Sequence, residues 1–156
     1  MKAKIKKYLP EIIGSASCLT LGMLSGLSVK PSDSLWYASL AKPFFNPPGW
    51  IFGPVWTILY LMMGWVVGML MRDKIKNKEL ILMFIIQFIF NLMWSPIFFY
   101  FQNIGLAFFD ICLLWISISI FIFASRNQQK IVILMSPYFL WVSFALVLNL
   151  SISLMN

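Results

Sequence analysis

Aromatic and amide side chains recur at helical spacing inside the apolar runs of this sequence. Phe52, Trp56 and Tyr60 are each four apart, which lines them along one face of a helix. Gln87, Asn91, Trp94 and Phe98 follow at spacings of four, three and four. Tyr138, Trp141, Ala145 and Leu148 stand at three, four and three, with Asn149 beside them. Such faces can stack a flat ligand, give it a polar foothold, and leave room for it at a small residue such as Ala145. The same residues can instead be packing, with the amides as interhelical glue at ~0.6 kcal/mol per bond. Aromatics near span ends are commonly interfacial belts. A belt accounts for Trp36, Trp50 and Trp65, but less well for Trp56 and Trp94, which sit about two helical turns or more inside their runs.

Other chemistries are excluded by residue type. Histidine is absent, so neither a His-ligated metal or haem nor a Ser-His-Asp triad can form. Cys18 and Cys112 each lie in an apolar run, match no metal or redox spacing, and read as buried structural thiols. Asp110 lies about two turns into its run. An ionised carboxylate there costs roughly 2.5 to 3.5 kcal/mol on insertion scales, so it should be paired or protonated inside a bundle. Glu11 is close enough to the basic N-terminus to meet its lysines.

The elements that carry these residues follow from composition. The chain has 156 residues, 61% hydrophobic and 11% charged. A soluble domain of this size cannot hide that much apolar surface. Five apolar runs emerge: Tyr8 to Val29, Trp50 to Met71, Leu80 to Phe101, Ile104 to Ser125 and Ile131 to Met155. Each exceeds the roughly 20 residues that cross a hydrocarbon core. In lipid every backbone polar group must be paired within its own segment, so the expected fold is all-α: an integral membrane bundle of five transmembrane helices in one domain, residues 1–156. Pro10 suits a first helical turn, and Pro96 should kink the third span. Gln102 and Asn103 alone join the third and fourth spans, which must therefore be antiparallel. Only the first connection, residues 30–49, is long. The G-x-x-x-G pairs Gly22–Gly26 and Gly64–Gly68 allow close helix approach, within one subunit or between two.

Charge sets the orientation. Lys2, Lys4, Lys6, Lys7, Arg72, Lys74, Lys76, Lys78, Arg126 and Lys130 fall on one side of an alternating five-span chain; Lys30 and Lys42 fall on the other. Ten against two puts the N-terminus in the cytoplasm and the C-terminus outside. It also accounts for the net charge of +7 without nucleic acid. Ser39-Leu40-Ala41 resembles a signal-peptidase site, but it lies well beyond the apolar run, and the run is long enough to stay as a span.

The segment WYASLAKPFFNPPGWIFGPVWTILYLMMG (Trp36 to Gly64) resembles the TspO/MBR family, the tryptophan-rich sensory and translocator proteins also called peripheral-type benzodiazepine receptors. The likeness continues through QFIFNLMWSPIFF (Gln87 to Phe99), GLAFFD (Gly105 to Asp110) and PYFLWVSFALVLN (Pro137 to Asn149), covering nearly the whole chain in order. It implies a five-helix bundle, a homodimer, and a pocket opening toward the first loop. It implies binding of porphyrins and of isoquinoline carboxamide or benzodiazepine-type drugs, with Tyr37, Phe52, Trp56, Asn91, Trp94, Trp141 and Ala145 as pocket residues. The lack of an Arg-rich transit segment and the cytoplasmic lysine pattern fit a bacterial cell membrane as the location. Some bacterial members resemble light-dependent porphyrin-degrading enzymes. In that activity protoporphyrin is ligand or substrate, with no separate cofactor and no metal, and Trp56 and Trp141 are the expected catalytic groups, since indole is the most oxidisable side chain facing the pocket. A tetrapyrrole carrier and a ligand-regulated sensory or scaffold protein are the alternatives. Animal members end the fifth span with a cholesterol consensus of Tyr followed by Lys or Arg. The tail ALVLNLSISLMN has neither, which disfavours cholesterol as the main ligand. The prolines of the first loop should hold it as a lid, with Lys42 and Lys30 near the mouth to meet the carboxylates of a tetrapyrrole.

Overall fold

The computed structural model describes residues 7–27 and 31–156, the side chains of 31–34 excepted. Among the described residues six α-helices follow one another: α1 (Leu9–Gly26), α2 (Pro31–Ser39), α3 (Phe52–Met71), α4 (Lys78–Ser95), α5 (Ile104–Ala124) and α6 (Gln129–Met155). There is no strand among the described residues. Among the described residues four helical stretches are long and apolar enough to cross a membrane: Gly49–Met71, Lys78–Tyr100, Ile104–Ala124 and Gln129–Met155. The first expected span is shorter than its run. Helix α1 has 18 residues, roughly 27 Å of rise, and the end of the run at Ser28 and Val29 lies outside the described residues.

Helix α1 runs antiparallel along α3, and glycines permit the approach. A Cβ on Gly64 would strike the backbone of Gly14 and Ser15, and one on Gly68 the backbone of Glu11 and Pro10. A Cβ on Gly22 would strike the Tyr60 ring. The Gly64–Gly68 pair is thus spent on packing within the chain, whereas nothing lies within 4 Å of such an atom at Gly26. Ser15 Oγ adds a bond to the Leu61 carbonyl at 2.9 Å. At the far end of the pair Glu11, fully buried, accepts from Arg72 Nε at 2.6 Å. Arg72 also donates to the Lys7 carbonyl at 2.8 Å. Arg72 in the α3–α4 connection is therefore a partner of Glu11 that the sequence did not point to; of the expected N-terminal lysines, Lys2, Lys4 and Lys6 lie outside the described residues.

The main core is built where α3, α4, α5 and α6 meet, around Met63, Phe84, Leu114, Ile118, Phe121 and Met135. Pro96 ends α4, and the chain continues for one wide turn, Pro96–Tyr100, closed by Phe101 N donating to the Pro96 carbonyl at 3.0 Å. A proline cannot donate to the preceding turn, and the wider turn absorbs that loss. The reversal into α5 needs only three residues. Gln102 takes a positive φ of 50°, and Asn103 Oδ1 caps α5 by accepting from Leu106 N at 2.9 Å.

The long first connection is folded. Helix α2 and the segment after it set Trp36, Tyr37, Leu40 and Phe45 against a second apolar cluster of Ile97, Phe98, Ala107, Leu148 and Ile152. Trp36 meets Phe98 edge-on at 5.4 Å and packs, partly buried, against this cluster. The segment is tied to the end of α6: Ala41 N donates to Asn156 Oδ1, and Asn156 Nδ2 to the Ala41 carbonyl, both at 3.0 Å.

Candidate functional site

The aromatic stripes of α3, α4 and α6 converge at the α2 end of the bundle. Phe52 and Trp141 meet directly, with ring centroids 5.9 Å apart. Trp141 continues into Phe144 at 5.6 Å, and Phe144 into Phe45 of the loop at 6.3 Å. Trp56 lies 5.4 Å from Tyr60 and 6.3 Å from Tyr138. Trp94 stacks on Phe98 at 5.0 Å and 15°. Tyr37 meets the same Phe98 at 6.1 Å. Trp94 packs against both apolar clusters and so joins the two halves of the site, while Ala145 packs against the main core beside Trp141. The seven pocket residues expected from sequence thus fall into one aromatic assembly in two adjoining parts.

Asn91 is 4% exposed and sits in a one-way chain of hydrogen bonds. Tyr60 Oη donates to Asn91 Oδ1 at 2.9 Å, Asn91 Nδ2 donates to Tyr138 Oη at 3.0 Å, and Tyr138 Oη donates to Gln87 Oε1 at 2.9 Å. Three helices are linked by these bonds. Each end of the Asn91 amide makes one bond, to a tyrosine hydroxyl, which leaves one N–H and one acceptor position over. Asn91→Leu removes two of the bonds and strands the buried Tyr60 hydroxyl, at a cost of about 2 kcal/mol. Thermal unfolding in detergent should fall by roughly 4–8 °C; an unchanged midpoint would show that the chain contributes no stability.

Other polar atoms in this end of the molecule have no partner among the described residues. Trp94 Nε1 and Trp141 Nε1 are buried without an acceptor, and Asp110 Oδ2 and both side-chain polar atoms of Asn149 are buried without a bond. Buried indole N–H groups ordinarily find an acceptor. Asp110 is 4% exposed, which fits its expected place inside the bundle. Of the two cysteines, Cys18 is buried in the core, whereas Cys112 is half-buried.

A groove of about 440 Å³ runs between α3 and α6, with Val55, Ile58, Leu140, Trp141 and Phe144 in its wall. It brings the membrane-facing surface to the edge of the aromatic assembly. On the loop side Tyr37 Oη is within 2.9 Å of Asn46 Oδ1 and donates to it. Burial pushes the Tyr37 phenol above its ordinary range, and the Asn46 bond offsets part of that rise. The Lys42 Nζ donates to the carbonyls of Ala38 and Leu40 at 3.2 and 3.0 Å and stands 4.7 Å from the centre of the Tyr37 ring. It caps the end of α2; Lys30 lies outside the described residues. Sequence reading also passed over Tyr60 and Tyr138 as partners of Asn91, although both stood on the inward stripes. Among the described residues no cluster of metal-ligating side chains occurs.

Residues 15–155 match the model of the TspO/MBR family. The chain is 40% identical to the tryptophan-rich protein TspO of Chlorobaculum tepidum, over 89% of this chain and 90% of that protein. It is 35% identical to the tryptophan-rich protein TspO of Archaeoglobus fulgidus, over 88% and 91%. The translocator protein of Ovis aries is 32% identical, over 82% of this chain and 79% of its own length.

Proposed function

The chain belongs to the TspO/MBR family, and from that premise we propose that it binds protoporphyrin or a related tetrapyrrole in the aromatic assembly and promotes its light-dependent breakdown. The same site takes isoquinoline carboxamide and benzodiazepine-type drugs. The observation that carries this reading is the pair of buried, unpartnered indole N–H groups, Trp94 Nε1 and Trp141 Nε1, set in a wall of aromatic rings. A flat ligand with acceptor atoms satisfies them while its faces meet Phe52, Trp56 and Trp141. Tyr37 covers it from the loop side, Asn91 holds Tyr60 and Tyr138 against Trp56, and Ala145 leaves it room. The pigment supplies the photochemistry, and the protein binds it and sets indoles beside it. The groove at Trp141 supports a second reading, a carrier that exchanges its ligand with the membrane.

The test uses purified protein and protoporphyrin. Tryptophan fluorescence should quench saturably. Under light the porphyrin absorbance band should fall faster than for free pigment, with no change in the dark. Saturable quenching without faster bleaching would leave the carrier; no quenching would remove the site.

The protein is also proposed to span a bacterial cell membrane five times, with a cytoplasmic N-terminus and an external C-terminus, as a homodimer. The antiparallel seam of α1 along α3 supports α1 as the additional span. Reporters fused at the N-terminus and after Arg72 should then report the same side, and one after Asn156 the other. An N-terminus opposite to Arg72 would leave α1 outside the set of crossing helices.

A further inference from the structure

A second groove, larger than the one at Trp141, lies at the end of the bundle opposite the aromatic site. It has a volume of about 600 Å³ and runs between the last turns of α5 and the first turns of α6. Phe123, Val132, Ile133 and Phe139 make its wall apolar, and Arg126 and Gln129 stand at one end. Ser119 and Ser136 also line it, but each hydroxyl is spent on a carbonyl of its own helix, at 2.8 Å to Trp115 and 2.7 Å to Val132. The groove therefore has one polar end and an apolar length. From Gln129 to Phe139 that length is roughly 15 Å, half of a ~30 Å hydrocarbon core. It is as deep as a single leaflet.

The polar end is cationic and uncompensated. The connection 125–130 holds Arg126 and Lys130 and no acidic residue. The one ion pair among the described residues is Glu11–Arg72, elsewhere. The Arg126 guanidinium lies 4.5 Å from the centre of the Phe123 ring, and its Nη1 donates to the Phe123 carbonyl at 3.4 Å. Stacked in this way it is already held beside the groove, so binding an anion there orders little more. Lys130, next in the chain to Gln129, is exposed.

We propose that this groove is a binding site for an anionic phospholipid of the adjoining leaflet. Its phosphate meets Arg126 and Lys130, and one acyl chain lies along Phe123, Ile133 and Phe139. Arginine presents a planar fork that matches phosphate oxygens, and basic residues at the membrane surface select lipids of net negative charge. Zwitterionic lipid has the phosphate but brings its own cation, so two uncompensated basic residues favour phosphatidylglycerol over phosphatidylcholine by roughly tenfold. The site is separate from the aromatic assembly and does not depend on what that assembly binds.

Native mass spectrometry of the full chain, released from micelles containing equal phosphatidylglycerol and phosphatidylcholine, tests this directly. The expected result is retained phosphatidylglycerol on the wild type at about ten times the level of phosphatidylcholine. Arg126→Gln with Lys130→Gln should abolish the preference. Ile133→Trp, at a wall residue 68% exposed, should fill the groove and lose the adduct while the thermal midpoint stays near wild type. Should that variant fail to fold, the charge variant alone decides. Equal retention of the two lipids by the wild type would overturn the proposal. So would an undiminished preference in the charge variant, or thermal stabilisation by inorganic phosphate equal to that by phosphatidylglycerol. A second copy of the chain, seen as a dimer lost in Ile133→Trp in place of a lipid adduct, would overturn it as well.

Discussion

Trp56→Phe combined with Trp141→Phe is expected to reduce light-dependent protoporphyrin breakdown at least tenfold at saturating pigment, with binding weakened by no more than about tenfold. Trp56 touches Tyr60 and Tyr138, and Trp141 touches Phe52 and Phe144. Phenylalanine keeps an apolar ring at each of these contacts. What it removes is an oxidisable indole and, at Trp141, the N–H that has no acceptor among the described residues. One lost hydrogen bond is worth about 0.5–1.5 kcal/mol, which bounds the change in affinity. Quenching by the remaining tryptophans measures binding, and loss of the porphyrin band under light measures turnover. Full turnover in the double variant would assign the chemistry to the pigment alone. Binding and turnover lost together would make these indoles walls of the site.

Gly68→Val should be the most damaging single change to the fold. A Cβ at Gly68 meets Glu11 N and Cα and the Pro10 carbonyl, which are backbone atoms that cannot swing aside. Helix α1 must lift away from α3, and the Glu11–Arg72 pair is pulled apart with it. Overpacking usually costs 1–3 kcal/mol, and a clash with rigid backbone belongs at or above the top of that range, about 3 kcal/mol. The thermal midpoint should fall by roughly 6–12 °C. Gly26→Ala is the control, because nothing lies within 4 Å of the added atom; it should be neutral or slightly stabilising. A wild-type midpoint for Gly68→Val would mean that α1 does not rest on α3 along this seam.

The helices that cross the apolar core were legible because burial in lipid demands long apolar runs, and the ends of α3, α5 and α6 fall within a few residues of those runs. Helix α2 was not legible, since a nine-residue segment of mixed polarity carries little periodicity; Pro31 at its first position was the available signal. Spacing also placed Gln87, Asn91 and Tyr138 inward, and each is buried. It had no means to pair them, because their bonds join residues 31 to 51 positions apart. The partners of Glu11 and Lys42 were missed for the same kind of reason. Charge was read as a property of a side of the membrane, whereas Arg72 and the α2 carbonyls are reached only once helices are docked.

The chain of bonds through Tyr60, Asn91, Tyr138 and Gln87 also constrains how the gene can change. Each link runs in the same direction, and Tyr138 both accepts and donates. A substitution at any one position strands a donor or an acceptor in a buried site, so the first step of a replacement carries the penalty and only a second step removes it. The four codons are therefore expected to behave as one inherited unit. Lineages that keep Asn91 should keep both tyrosines, and those that lose it should have exchanged Tyr60 or Tyr138 for an apolar residue as well. An alignment of relatives in which the four positions vary independently would argue against that linkage.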